Sequence, residues 1–303
     1  MQRICRAAIL PLCLAVLVSA CGNETEPPPV PDAETAIAFA REFVRRAPAP
    51  AGTPEAAEMA KWIASEAGKN PAARVSVMEF SDMTPAGRKT FRNIVAEIPG
   101  KKKEFIIIGA HCDTKHFDAF AFTGANDGAS GVAALLAMIR ALKGVVPPVG
   151  LRFVFFDGEE ALFHYSSGDG LHGSRHAAEA WAADGSLKRC RAMILLDMIG
   201  DRELCITLPA DTPPDLRRLA LESAESIGRG SCIADHPHEM IDDHVPFRDR
   251  GVPSIDLIDF QYGPGNCYWH TPQDTTENIS GESIAAAARI AMTMIWRLAK
   301  EKR

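Results

Sequence analysis

Apolar positions recur at helical spacing over residues 33–46 and again over 53–67, with Pro48, Pro50 and Gly52 between them. Residues 75–80 and 91–98 read as neighbouring strands. Residues 105–110 form a continuous apolar run after the basic turn Lys101-Lys102-Lys103, the pattern of a strand buried on both faces. Residues 151–156 and 192–196 repeat that pattern, and 254–258 reads as a shorter strand. Residues 128–142, 171–183, 214–227 and 283–299 predict helices. Strands alternating with helices predict an α/β fold: a single domain over residues 35–303, with a mostly parallel, mixed central sheet flanked by helices on both faces. Active sites in such folds lie beyond the carboxyl ends of the strands.

Composition narrows the reading. Hydrophobic residues make up 47% and charged residues 24%, which excludes a wholly disordered chain. The 303 residues carry 33 Lys and Arg against 39 Asp and Glu, a net charge of −6 with no basic block. Nucleic acid is therefore not an expected partner, since phosphate binding needs clustered positive charge.

Only the N-terminus is apolar enough to enter a membrane. Arg3 and Arg6 precede a short apolar run over residues 7–18. Val18-Ser19-Ala20-Cys21-Gly22 resembles a bacterial lipobox. That resemblance implies a signal peptide over residues 1–20, a lipidated Cys21 and a cell-envelope location facing the periplasm or exterior. An ordinary signal peptide cleaved nearby, or an uncleaved anchor, is the alternative. Residues 21–34 carry Pro27, Pro28, Pro29 and Pro31 among acids and read as an extended tether. Beyond it stand Cys112, Cys190, Cys205, Cys232 and Cys267, an odd number with no CxxC pair. At most two disulfides can form among them, and their connectivity stays open.

The chemistry gathers at strand ends. The third strand runs into His111-Cys112-Asp113, and Asn126-Asp127-Gly128 opens a helix. Later strands run into Asp157-Gly158-Glu159-Glu160 and into Asp197. Asp242-Asp243-His244 and Trp269-His270-Thr271 follow. Taken singly, each has a bland reading as a turn, cap or solvated acid. Together they place carboxylates and imidazoles on one rim, a donor set that suits catalytic zinc. A divalent cation offsets the repulsion among so many acids. Asp113, two residues past His111, lies on the same side of an extended chain and is expected to orient that imidazole from behind the ligand shell.

The ordered set His111-x-Asp113, Asp127, Glu159-Glu160, Asp197, His270 resembles the zinc aminopeptidase superfamily with two co-catalytic metals. The resemblance implies Asp127, Glu160 and His270 on one metal position, and His111, Asp127 and Asp197 on another, with Glu159 as general base. Phe156-Asp157-Gly158-Glu159-Glu160-Ala161, then Leu171-His172-Gly173-Ser174-Arg175-His176, Asp242-Asp243-His244-Val245-Pro246-Phe247 and Trp269-His270-Thr271 resemble the glutaminyl cyclase branch. Tyr165 stands where animal cyclases have tryptophan, and Asp256 where they have histidine. This branch implies conversion of N-terminal glutamine to pyroglutamate with release of ammonia. It implies one zinc, catalytic roles for Glu159, Asp197 and Asp242, and a substrate pocket walled by Trp269. A dizinc aminopeptidase acting on the N-terminal residues of peptides or proteins is the second reading. A noncatalytic binding lipoprotein is the third; it predicts loss of a ligand or of the base, and none is lost.

Overall fold

The structure is a computed structural model that describes residues 27–301. The predicted signal peptide and Cys21 lie outside the described residues. The first helix, α1 (Ala33–Val44), is capped by Asp32, whose carboxylate accepts from the Thr35 amide at 2.8 Å. The folded domain thus begins within the predicted tether, where Pro31 is already buried. Thr53 caps α2 (Pro54–Ala67), with proline at its first position.

Among the described residues, eight strands form one sheet: β1 (Arg74–Thr84), β2 (Gly87–Ile98), β3 (Phe105–His111), β4 (Gly150–Phe156), β5 (Cys190–Asp197), β6 (Ile206–Leu208), β7 (Ile233–Asp235) and β8 (Ser254–Ile258). Their order is β1-β2-β4-β3-β5-β8-β6-β7. The central strands β4, β3, β5 and β8 run parallel. The β1–β2 hairpin joins antiparallel through β2 at one side, and β6 meets β8 antiparallel at the other. The short β6 and β7 carry too few residues to show a period, and only the structure reveals them.

Alternation along β3 explains the two-layered core. Ile106, Ile108 and Ala110 join one apolar cluster, with α1, α2, α3 (Ala129–Ala141), α5 (Pro214–Ser226) and α7 (Gly281–Leu298). Phe105 and Ile107 join a second, with Trp181 of α4 (His172–Ala183) and Phe247 of α6 (Val245–Arg248). Gly131 sets how closely α3 approaches the sheet. A Cβ there would meet Leu196 O at 2.5 Å and Ala110 Cβ at 2.8 Å. That contact brings the start of α3 against the ends of β3 and β5. Among the described residues, no helix is long and apolar enough to cross a membrane.

Candidate active site

The predicted site residues stand where the parallel strands end. β3 closes on His111 and β5 on Asp197, while β4 runs into Asp157-Gly158-Glu159-Glu160. Asp127 precedes Gly128, whose φ of 106° turns the chain into α3. A Cβ at Gly128 would lie 3.3 Å from His111 Cε1, so the turn closes over the imidazole only without a side chain. His270 lies between β8 and α7 with φ 55°, a left-handed conformation that costs a non-glycine residue on the order of 1 kcal/mol.

Two sets of three side chains result. His111 Nε2 lies 3.2 Å from Asp127 Oδ1 and 3.2 Å from Asp197 Oδ1. His270 Nε2 lies 3.1 Å from Asp127 Oδ2 and 3.3 Å from Glu160 Oε1. Asp127 therefore belongs to both sets and turns one oxygen to each imidazole. Within each set the ligand atoms lie within 4.8 Å of one another. His111 Nε2, Asp127 Oδ2 and Asp197 Oδ1 are buried yet make no aligned hydrogen bond. Donor atoms that converge in this way fit a divalent cation held by nitrogen and oxygen.

The electrostatics agree. Burial alone would lower His111, but the carboxylates of Asp113, Asp127 and Asp197 raise it well above its ordinary value. Burial also opposes the charge on His270, yet Asp127 and Glu160 lift it to about 9. Burial would raise Asp127, but the two imidazoles hold it well below the usual carboxylate range. Protons on the imidazoles thus hold the acids together, and a divalent cation supplies the same positive charge. Burial, then the neighbouring Glu160, pushes Glu159 well up. Burial, then Asp256, does the same to Asp242.

Asp113 stands behind His111 and has a second task. Its Oδ1 stands 3.8 Å from His111 Nδ1, an ion-pair distance beyond direct hydrogen-bond reach. Its two oxygens accept the amides of Glu159 at 3.1 Å and Glu160 at 3.2 Å. Asp113 therefore fixes the backbone of the acid pair. The alternation rule gave its side of the strand and not the turn after β4 that lies over it.

Trp269 is half-buried and stacks on His270, ring centroids 4.1 Å apart, with Phe260 on it at 5.0 Å. Asp242 is buried near the negative charges of Asp256, Asp197 and Glu159. Its Oδ1 accepts the Asp243 amide at 2.6 Å, and α6 has no side-chain cap, so the bland reading of Asp242 as a helix cap does not hold.

Three contacts around the two ligand sets escaped the sequence. The Tyr165 hydroxyl donates to Glu159 Oε1 at 2.8 Å. Lys115 Nζ donates to Glu160 Oε2 at 3.1 Å and to the Ala161 carbonyl at 2.6 Å. Asp274 accepts the amides of Asn126 at 2.7 Å and Asp127 at 3.2 Å, fixing the shared ligand from 147 residues away. The Tyr165 loop is itself built: Asp169 accepts the amides of Leu162, Phe163 and His164 at 2.6, 2.8 and 3.1 Å.

Comparison with known proteins agrees with this geometry. The sequence model of Peptidase family M28 matches residues 93–295. The chain is 31% identical to a glutaminyl-peptide cyclotransferase of Gloydius blomhoffii, over 71% of this chain and 68% of that one. It is 30% identical to a glutaminyl-peptide cyclotransferase of Bos taurus, over 73% and 70%. The crystal structure of an Acidobacteriales bacterium glutaminyl cyclase superposes with a TM-score of 0.87 at 33% identity, covering 92% of this chain and 98% of that one. A leucine aminopeptidase precursor from Bacteroides thetaiotaomicron shares the fold, with a TM-score of 0.80 at 24% identity, covering 91% and 99%. The chain belongs to peptidase family M28 and, within it, to the relatives of the glutaminyl-peptide cyclotransferases.

Proposed function

We propose that this chain is a zinc-dependent glutaminyl-peptide cyclotransferase that acts on peptides or proteins beginning with glutamine. One observation carries the reading: Glu159 stands beside the Asp127-Glu160-His270 set, belongs to neither ligand set, and accepts a hydrogen bond from Tyr165. A carboxylate so placed is free to move a proton.

Asp127, Glu160 and His270 would hold one zinc. When bound, that ion supplies Lewis-acid polarisation of the substrate's γ-carboxamide oxygen. Glu159 takes a proton from the substrate's α-amine as the amine nitrogen bonds to the carbonyl carbon of the γ-carboxamide. It returns that proton to the departing ammonia as the old carbon–nitrogen bond breaks. Tyr165 occupies Oε1, which leaves Oε2 for the substrate. Burial and the nearby acids keep the phenol protonated, so it remains a donor. Asp197 and Asp242 hydrogen-bond the transferring group, while burial and the neighbouring Glu160 raise the basicity of Glu159. Trp269 walls the pocket and holds the His270 ring by stacking. The nucleophile is part of the substrate, so orientation supplies much of the acceleration.

The converging His111-Asp127-Asp197 set favours a second reading, a dizinc aminopeptidase with water as nucleophile. Release of ammonia from a Gln-initiated peptide, with no free amino acid, separates the two.

The lipobox-like Val18-Ser19-Ala20-Cys21 supports a lipid anchor at Cys21 and action at a bacterial cell envelope. The mass of the mature N-terminal peptide tests it: a diacylated Cys21 is expected, and an unmodified N-terminus would rule the anchor out.

A further inference from the structure

The sheet edge farthest from the β1–β2 hairpin brings two cysteines side by side. β6 and β7 run parallel, with Ile206 opposite Ile233, Thr207 opposite Ala234 and Leu208 opposite Asp235. Cys205 leads into β6, and Cys232 closes the 3-10 turn Gly230–Cys232 that leads into β7, so each stands one step before the first of these pairs. The adjoining pair Ile206–Ile233 is held at the strand spacing of about 4.8 Å, which starts the two cysteines near the ~4.4–6.8 Å range of Cα separations that a disulfide spans. Ile206 and Ile233 are both buried in the core, which seats the first pair of the ladder next to the two cysteines. Both cysteines are partly exposed thiols, and each lies within the electrostatic reach of the other. The Cys205 amide donates to Asp259 Oδ2 at 2.8 Å, which fixes its backbone beside the end of β8.

We propose that Cys205 and Cys232 are a disulfide-forming pair that clasps β7 to β6. The clasp has a structural purpose. β7 is an edge strand held by three residue pairs, and the chain leaving it reaches Asp242 seven residues after Asp235. A covalent link at its start restrains the segment that delivers this acid to the site. The link also closes a loop containing α5, which limits the unfolded chain.

The reaction is a thiol–disulfide exchange with a small-molecule or protein disulfide as oxidant. One cysteine thiolate attacks a sulfur of that disulfide and displaces a thiolate, giving a mixed disulfide. The second cysteine thiolate then attacks the protein sulfur and displaces the other thiolate. The two cysteines lose two electrons and two protons, and the oxidant disulfide becomes two thiols.

The test uses the full chain, with oxidised glutathione as the probe. After oxidation, free thiols are alkylated, the protein is digested with trypsin and the peptides are weighed. Peptides 203–217 and 230–248 should appear joined, two hydrogens lighter than their sum, and separate on reduction. The exposed Cys267 should be alkylated or glutathionylated and not paired with either. The oxidised protein should melt about 5 °C above the reduced one, a difference absent in Cys205→Ser and in Cys232→Ser. Alkylation or stable glutathionylation of both Cys205 and Cys232 after oxidation, or pairing of either with another cysteine, would overturn the proposal.

Discussion

The Tyr165 hydroxyl stands 2.8 Å from Glu159 Oε1, and that carboxylate is the one acid of the Glu159-Glu160 pair outside both converging ligand sets. Glu160 is engaged on both oxygens, Oε1 toward His270 and Oε2 toward Lys115. Adjacent residues of one type thus receive different environments and, in the proposed reaction, different work.

Tyr165→Phe removes a hydrogen bond to a charged group and keeps the ring. A fall in kcat of about tenfold or more is expected, with KM within about twofold. Steady-state kinetics on a Gln-initiated peptide measure it. Unchanged kcat would show that the hydroxyl does not position Glu159.

Glu159→Gln keeps the shape of the side chain and removes the proton acceptor. Turnover should fall by about a hundredfold or more while bound zinc stays at the wild-type level. Metal analysis of the same preparation supplies the second readout. Near-normal turnover would refute the role of Glu159 as base.

Asp127→Ala and His270→Ala should each lose metal, because both side chains belong to the Asp127-Glu160-His270 set. The cyclase reading expects one zinc per wild-type chain and a large loss in each variant. Full wild-type zinc in both variants would show that the ion binds elsewhere.

Stability should depend on acid through His244. This side chain is buried, and its Nδ1 makes no hydrogen bond. Burial lowers its value from 6.5 to about 4, against a smaller opposing pull from Asp249. The unfolded chain therefore binds a proton between those values that the folded chain refuses. The resulting stability is present above about pH 6.5 and is lost as pH falls toward 4, on the order of 3 kcal/mol. Melting temperatures of wild type and His244→Gln across that window should converge on acidification, because the variant lacks this component. Parallel curves would contradict it.

Sequence alone revealed the strands whose apolar runs are buried on both faces, and the acids and imidazoles at their ends, because each pattern is local. Residues 105–110 and 192–196 became β3 and β5 with their predicted ends at His111 and Asp197. The supporting contacts were not legible, because they join distant segments. Asp274 holds Asp127 across 147 residues, and Lys115 reaches Glu160 across 45. Alternation places Asp113 near His111, but no sequence pattern shows that the Glu159 and Glu160 amides also lie over it. Tyr165 was visible only as a departure from tryptophan; its hydroxyl acquires meaning once Asp169 folds the loop back over the acid pair.

The most direct test is the product formed from two peptides, one beginning with glutamine and one with leucine, by purified residues 22–303 supplied with zinc. Loss of one ammonia from the first, with the second untouched, is the predicted result. Release of a free amino acid from either peptide would contradict the cyclase account and favour hydrolysis by two metals.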